Sequence, residues 1–234
     1  EIRQMRATYF GLVEELDGHI GRIVEHLKAT GQYDRTLIVL TSDHGEMLGE
    51  HYQWGKEMYF DSAFRVPLIV RDPRPEADAG RSTIVEAFSE AIDVMPTILD
   101  WLGHPAPRAC DGRSLLPFVR GTPPAKWRDA VFFEHDFRDV RGQGPETALG
   151  ITSDEANYAV IRDGRYKYVH FAALPPLLFD IAADPHEMHN LAGDPAMAPV
   201  MLAYAQRMLT WRLTHADRTL TNMSLGPGGV FARD

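Results

Sequence analysis

The apolar run at residues 36–40, Thr-Leu-Ile-Val-Leu, ends directly in a polar cluster, and this junction limits the folds that the chain can adopt. A short run of aliphatic and β-branched residues is typical of a buried strand. Asp43 and His44 follow the run and Gly45 comes next, so the polar pair lies where the strand ends. Open α/β sheets place their functional groups at the carboxyl ends of such strands.

Helical and strand patterns alternate over residues 1–104. Apolar residues recur at three- and four-residue spacing over residues 3–29, which predicts an amphipathic helix that Gly31 ends. Residues 65–72 predict a second buried strand, and residues 89–103 predict a helix. Helix, strand, loop, strand and helix follow one another as in a layered α/β domain, which is the fold class that we predict.

The pattern changes in the second half of the chain. Residues 105–126 are rich in proline and glycine, which predicts an irregular connector. Four short strand patterns and a closing helix predict a small antiparallel subdomain at residues 127–216, with a hairpin turn at Asp163 and Gly164, where glycine tolerates positive φ. Residues 217–234 show no periodicity and are predicted to form an extended tail.

Composition argues against several classes of partner. The 234 residues carry a net charge of −9, which disfavours nucleic acid and acidic membrane surfaces as partners. The sequence contains no apolar run long enough for a membrane span, and the first ten residues lack the apolar core of a signal peptide. Cys110 is the only cysteine, so no intrachain disulfide can form, which is consistent with a reducing compartment.

The polar residues after the first strand suit metal chemistry. Asp43 offers a hard anionic oxygen and His44 an imidazole nitrogen, which together suit a divalent cation such as Ca²⁺, Mn²⁺ or Zn²⁺. Lys56 offers a point charge that can stabilise an anionic oxygen. An Asp-His pair in a loop also occurs as a capping aspartate beside a solvent-facing histidine, and the spacing alone leaves both interpretations open.

The order of motifs settles the choice between these interpretations, because the whole chain resembles the C-terminal half of the sulfatase family, within the alkaline phosphatase superfamily. The matching segments are DGHIGRIV, TSDHGE, LGEH, WGK, RVPLIV, DVMPTILDWLG, DGRSLLPF, DGRYKYVHF and LLFDIAADPHEMHNLA. The segments CDGRSLLPF, DFRDV, RYKYVHFAALPPLLFD and WRLTHADRTLT are most similar to the phosphonate monoester hydrolase branch. The resemblance implies an alkaline-phosphatase-like layered sheet and a small antiparallel C-terminal subdomain.

The resemblance also implies roles for individual residues. Asp43 and His44 match the family's ligands for one divalent metal ion, and Lys56 matches the lysine that contacts the transferred group. Tyr59 and His51 are weaker candidates for substrate binding, and His51 fits equally well a role in ordering its loop. The implied activity is hydrolysis of phosphonate monoesters, phosphodiesters and sulfate esters by a cytoplasmic homo-oligomer that acts on small anionic esters.

The family's nucleophile does not match this chain. It is a formylglycine made from the cysteine of a Cys-x-Pro-x-Arg motif, whereas Cys110 is followed by Asp111 and Gly112 and by no proline. We therefore predict a packing role for Cys110 and place the nucleophile in an N-terminal half that this sequence lacks. The chain is then expected to be the C-terminal portion of a longer polypeptide, inactive alone and weak in metal binding.

Two alternatives stay open at this stage. One keeps the class and changes the substrate, to that of an arylsulfatase or a choline-sulfatase-like enzyme. The other is a naturally truncated, non-catalytic module that serves in oligomerisation. Asp43, His44 and Lys56 argue against the second alternative, because all three site residues are retained.

Overall fold

The structure, a computed structural model, describes residues 1–56, 58–216 and 223–232. It divides into two compact units, Glu1–Val131 and Phe132–Asp234. The helices are α1 (Ile2–Ala29), α2 (Asp61–Phe64), α3 (Val94–Trp101), α4 (Leu116–Val119), α5 (Gly144–Leu149) and α6 (Ala198–His215). The strands are β1 (Ile38–Thr41), β2 (Leu68–Arg71), β3 (Ala130–Asp136), β4 (Asn157–Asp163), β5 (Tyr166–Phe171), β6 (Leu177–Asp180), β7 (Met223–Gly226) and β8 (Gly229–Ala232). No helix within the described residues is both long enough and apolar enough to cross a membrane.

Helix α1 confirms the first predicted helix, including the way in which it ends. Gly31 takes a left-handed backbone conformation with φ +66°. Its N–H donates to the carbonyl of Lys28 at 3.1 Å, and the N–H of Gln32 donates to the carbonyl of Leu27 at 2.8 Å. These two bonds form the Schellman motif, which satisfies the last carbonyls of a helix and favours glycine at the left-handed position.

Strands β1 and β2 form a two-stranded antiparallel sheet, in which Ile38 pairs with Arg71 and Thr41 with Leu68. The prediction that both strands are buried is wrong for the described residues. No residue of either strand is fully buried, and the side chain of Ile69 is 59% exposed. Aliphatic composition reports the preference of a strand for burial, whereas burial itself depends on neighbouring elements.

The second predicted helix, α3, begins directly after Asp93, whose side chain is fully buried. The carboxylate of Asp93 accepts hydrogen bonds from the backbone N–H of Glu90 and of Arg113, each at 2.8 Å. The guanidinium of Arg128 binds the same carboxylate with two nitrogens. Asp93 thus ties the start of α3 to the connector that follows it, which is irregular as predicted apart from the single turn of α4.

Strands β3 to β6 form the predicted antiparallel sheet, in the order β3-β4-β5-β6. The interior of the second unit is built on β4, β5 and β6, where Val160, Ile161, Val169 and Leu178 are fully buried. Val160 and Ile161 are neighbours on β4 and point to opposite faces, so both faces of this strand are covered.

The hairpin between β4 and β5 is confirmed, but the predicted reason for it is wrong. Gly164 does not take the left-handed conformation that the Asp-Gly pair suggested. Instead the carboxylate of Asp163 accepts the backbone N–H groups of Arg165 and Tyr166, each at 2.9 Å. The aspartate side chain closes this turn, so the glycine needs no unusual backbone conformation.

The predicted extended tail is wrong for residues 223–232, where β7 and β8 pair as a hairpin. Gly226 pairs with Gly229, and Gly229 has a φ of +112°. The Pro-Gly pair at positions 227 and 228 is a turn signal between two short runs, and this signal explains the hairpin. The remainder of the predicted tail, residues 217–222 and 233–234, lies outside the described residues.

Asp163 also anchors α6. Its carboxylate accepts hydrogen bonds from the hydroxyl of Tyr204 and from Nη1 of Arg207, the latter at 2.8 Å. Burial alone would raise the pKa of Asp163, but the bonds from Tyr204, from two backbone N–H groups and from Arg207 outweigh it and hold the pKa below its usual range. The bond to Asp163 and burial raise the pKa of Tyr204, which therefore stays a protonated donor.

We expect Asp163→Asn to lower the free energy of unfolding by about 2 kcal/mol at neutral pH, because charge-assisted hydrogen bonds are lost. A lowered native pKa stabilises the fold above the unfolded-state pKa, and this contribution disappears as pH falls through the native pKa. The difference between wild type and variant should therefore shrink between pH 7 and pH 3 in urea unfolding. Asp17→Asn, on the exposed surface of α1, is the control, and a pH-independent difference would contradict the assignment.

Candidate active site

The candidate site is the turn that follows β1, where Asp43 and His44 lie side by side. Nδ1 of His44 lies 2.7 Å from the carbonyl oxygen of Gly45. A carbonyl oxygen only accepts, so Nδ1 carries a proton, and in the tautomer with that single proton Nε2 keeps its lone pair. That Nε2 lies 3.6 Å from Oδ2 of Asp43. The backbone N–H of His44 holds the other carboxylate oxygen, Oδ1, at 3.0 Å.

Gly45 holds this turn against α2. Its N–H donates to the carbonyl of Ala63 at 2.7 Å. A Cβ atom at position 45 would lie 2.0 Å from the carbonyl oxygen of Ser62, far inside van der Waals contact. Glycine is therefore required here by the close approach of two backbones, not by an unusual φ.

The electrostatics of the turn favour an ionised Asp43, whose side chain is 83% exposed. Desolvation would raise the pKa of Asp43, but the backbone N–H of His44 and electrostatic interactions with His44 and Lys56 lower it below its usual value. The ammonium of Lys56 is therefore within electrostatic reach of the carboxylate. An anionic oxygen of Asp43 thus lies beside Nε2 of His44.

The two donor atoms fit a divalent metal ion. Two ligand atoms on one tetrahedral ion at about 2.1 Å lie about 3.4 Å apart, close to the observed 3.6 Å. Fixing Nδ1 on a backbone carbonyl is the usual way in which proteins orient a metal-ligating histidine. Within the described residues, no group of three or more His, Cys, Asp and Glu side chains is placed to hold an ion. Asp43 and His44 thus supply two ligands, and a full coordination sphere needs further donors.

Lys56 follows a closed loop at residues 46–55, which we call the site loop. The ends of this loop meet, because the N–H of Met47 donates to the carbonyl of Gly55 at 2.9 Å. Met47 is fully buried and fixes one end in the interior of the unit. Lys56 is exposed and begins the segment that leaves the loop. The loop closure therefore brings Lys56 back towards the end of β1.

The two weaker candidates, His51 and Tyr59, lie around Phe60. The rings of His51 and Phe60 are stacked, with centroids 3.6 Å apart and an interplanar angle of 3°. The ring of Tyr59 lies 4.6 Å from that of Phe60, which is itself buried. The stacking gives His51 a role in ordering the site loop, and substrate binding by His51 or Tyr59 stays a prediction.

Cys110 lies apart from this turn along the chain, in the connector. It is half-buried, and its Sγ lies 3.8 Å from Sδ of Met95 in α3. A thiol beside a thioether is a packing contact between two soft, polarisable groups. The geometry agrees with the packing role expected from the absence of a nucleophile motif.

Sequence reasoning missed Glu46. Its Oε1 accepts the backbone N–H of Gly55 at 2.7 Å and that of Leu48 at 3.2 Å. The available signal was its place directly after the Asp-His-Gly sequence, at the start of a loop with two further glycines. A carboxylate at the head of a glycine-containing loop can accept backbone N–H groups, but the spacing of nine residues to Gly55 could not be read from any local pattern.

Comparison with known proteins shows which family the first part of the chain resembles. Residues 1–104, which include Asp43, His44 and Lys56, match the family model described as Sulfatase. This match lies over the segment whose motifs predicted the sulfatase family.

Three relatives extend the likeness to the rest of the chain. The chain is 55% identical over its full length to the multifunctional alkaline phosphatase superfamily protein PehA of Trinickia caryophylli, of which it covers 45%. The crystal structure of the phosphonate monoester hydrolase of Agrobacterium radiobacter matches 98% of this chain and 45% of its own, with a TM-score of 0.88 and 45% identity. The choline-sulfatase of Rhizobium meliloti (strain 1021) is 33% identical over 222 residues, which are 92% of this chain and 38% of that protein.

These comparisons confirm the predicted fold class. The TM-score of 0.88 shows that the α/β part and the antiparallel subdomain follow the architecture of a phosphonate monoester hydrolase. The chain spans less than half of the length of each of these relatives. The chain is thus similar to part of an alkaline phosphatase superfamily protein, part of a phosphonate monoester hydrolase and part of a choline-sulfatase.

We expect Gly45→Ala to disturb the candidate site, because its Cβ would collide with the carbonyl oxygen of Ser62. We expect the free energy of unfolding to fall by about 1–3 kcal/mol, the range for overpacking. The matched control is Gly21→Ala in α1, where a Cβ would meet nothing within 4 Å. This control should stabilise the chain by about 0.5–1 kcal/mol. Equal effects of the two substitutions in thermal unfolding would show that the close approach is absent.

Proposed function

We propose that the chain supplies part of the active site of a metal-dependent hydrolase of phosphonate monoesters, phosphodiesters and sulfate esters. In this proposal Asp43 and His44 bind one divalent ion, which is Ca²⁺, Mn²⁺ or Zn²⁺, and Lys56 stabilises negative charge on the transferred group. The substrate is a small anionic ester, and the working form is a cytoplasmic homo-oligomer. The likeness to a phosphonate monoester hydrolase and a choline-sulfatase supports this class of substrate.

One observation carries the proposal. Oδ2 of Asp43 and Nε2 of His44 converge at 3.6 Å while Nδ1 of His44 is engaged by the carbonyl of Gly45. A capping aspartate beside a solvent-facing histidine would need neither the fixed tautomer nor the convergence. The arrangement instead supplies an anionic oxygen and a nitrogen lone pair to one point.

The candidate residues of this chain have different roles in the proposed reaction. A metal ion held by Asp43 and His44 would polarise the ester and lower the pKa of a bound nucleophile. Asp43 supplies a negative charge that holds the ion, and the N–H of His44 keeps its carboxylate oriented. Lys56 supplies an ammonium, which in this proposal neutralises charge that develops on the transferred phosphoryl or sulfuryl oxygens.

The nucleophile of this proposal does not come from Cys110. The thiol packs against Met95, and its sequence lacks the proline of the formylglycine motif. We therefore propose that a formylglycine lies in polypeptide that this chain does not include, together with the remaining metal ligands. On this basis the chain alone should bind metal weakly and should not turn over substrate.

The alternative within the class is an arylsulfatase or choline-sulfatase-like enzyme, which the 33% identity to choline-sulfatase favours. The two assignments differ in the transferred group, because a phosphonate monoester carries a negative charge and a phosphorus–carbon bond, whereas a sulfate ester transfers a sulfuryl group. A rate comparison of a phosphonate monoester, a phosphodiester and a sulfate ester separates them. The proposal predicts the highest kcat/KM for the phosphonate monoester or the phosphodiester.

Replacement of Lys56 tests its role in the polypeptide as the native source makes it. We expect Lys56→Ala to lower kcat by about 10²- to 10³-fold, the effect of removing one group that stabilises transition-state charge. The matched control is Lys28→Ala at the end of α1, where the lysine pairs with Glu25 at 2.8 Å and lies outside the site. Unchanged kcat in Lys56→Ala would remove Lys56 from the mechanism. Absence of all turnover from the native polypeptide would favour the non-catalytic module instead.

A further inference from the structure

The proposed metal-binding and substrate-binding residues do not account for how Lys56 is held in position, and Glu46 does. We propose that Glu46 is a positioning residue, which fixes Lys56 relative to Asp43 and His44 by closing the site loop. The inference rests on the proposed function, because it assigns a partner to the lysine of that mechanism. It concerns a side chain that touches neither the metal ligands nor the transferred group in the proposed mechanism.

The contacts of Glu46 reach the residue directly before Lys56. Oε1 of Glu46 accepts the N–H of Gly55 at 2.7 Å, while the carbonyl of Gly55 accepts the N–H of Met47 at 2.9 Å. Both backbone polar groups of Gly55 are thus held by the first two residues of the loop. Lys56 is one peptide bond away, so its Cα is fixed by the same two bonds.

Glu46 also belongs to the same turn as the two proposed metal ligands. Glu46 directly follows Gly45, whose carbonyl orients the ring of His44 and whose N–H is bound by Ala63. A single short segment, residues 43–46, therefore carries the proposed metal donors at one end. At its other end it carries Glu46, whose hydrogen bond holds the residue before Lys56. A displacement of Glu46 changes the position of Lys56 without removing a metal donor.

The backbone conformation of the site loop explains why hydrogen bonds across its ends are needed. Leu48, His51 and Tyr52 all have positive φ, at 50°, 48° and 60°. Left-handed conformations cost free energy in residues with a Cβ, and they persist only where the surroundings impose them. The side chain of Tyr52 is 94% exposed, so burial of that ring does not offset the cost. Hydrogen bonds across the ends of the loop are one source of the compensation.

Other contacts hold the middle of the loop rather than its end. Glu50 accepts the hydroxyl of Ser62, His51 stacks on Phe60, and Nε of Arg6 donates to the carbonyl of Leu48 at 2.7 Å. These contacts fix the loop to α1 and α2. The bond from Gly55 to Glu46 differs from them because it acts on the residue next to Lys56.

Three substitutions separate positioning from folding. Glu46→Gln keeps an oxygen acceptor at the same reach, so it should preserve the bond to Gly55. Glu46→Asp keeps the charge but shortens the side chain by one methylene, and Glu46→Ala removes the acceptor. Glu14→Ala on the exposed surface of α1 is the control for loss of a glutamate. Buried Met47 is present in every variant and anchors the loop. If Glu46→Ala fails to fold, Glu46→Asp replaces it as the variant that loses the hydrogen bond to Gly55.

The first readout is amide hydrogen exchange at Gly55 in the chain. We expect exchange to be about tenfold faster in Glu46→Ala and Glu46→Asp and nearly unchanged in Glu46→Gln, since one hydrogen bond is lost or kept. The second readout follows the ¹³C signal of reductively methylated Lys56, identified by its absence in Lys56→Arg. This signal should shift and sharpen in the same two variants, as the lysine becomes mobile.

The third readout is kcat in the native polypeptide, which should fall about tenfold in Glu46→Ala and Glu46→Asp and recover in Glu46→Gln, in line with misplacement of a charged group. Identical behaviour of Glu46→Gln and Glu46→Ala, or an unchanged Lys56 signal in Glu46→Ala, would overturn the proposal. The first two readouts do not depend on the proposed function, whose catalytic role for Lys56 fails separately if Lys56→Ala leaves kcat unchanged.

Discussion

The candidate site depends on the hydrogen bond from the N–H of Gly45 to the carbonyl of Ala63, at 2.7 Å. This bond brings the chain that leaves β1 against the backbone of α2, at a distance that excludes every side chain at position 45. The resulting turn places the carbonyl of Gly45 where it can engage Nδ1 of His44. The convergence of the two candidate donor atoms is therefore a consequence of this backbone contact.

Carboxylates that bind backbone N–H groups also connect elements elsewhere in the molecule. Buried Asp93 joins α3 to the connector in the first unit, and partly buried Asp163 joins the β4–β5 hairpin to α6 in the second. Each carboxylate accepts hydrogen bonds from backbone N–H groups and an arginine, which compensate for the loss of water around the charge. Glu46 follows this pattern on a smaller scale, because it accepts two backbone N–H groups at the ends of one loop.

Local patterns predicted the elements well, and the features that they missed depend on contacts distant in sequence. Helix α1 and strands β3 to β6 were predicted because their periodicity and composition are local properties. The exposure of Ile69 depends on which elements cover β2, and the bond from Glu46 to Gly55 spans nine residues. Asp43, His44 and Lys56 were predicted as site residues through their motifs and stay a prediction, whereas the hydrogen bond of Nδ1 of His44 could be seen only from the position of a backbone carbonyl.

Titration of the isotopically labelled chain with Mn²⁺, observed at the histidine imidazole resonances, tests the central claim most directly. The account predicts saturable paramagnetic broadening of His44 at metal concentrations that leave His26, in the last turn of α1, unaffected. It also predicts that Asp43→Ala removes this selectivity. Equal broadening of His44 and His26, or selective broadening of His44 that survives Asp43→Ala, would contradict a metal site built from Asp43 and His44.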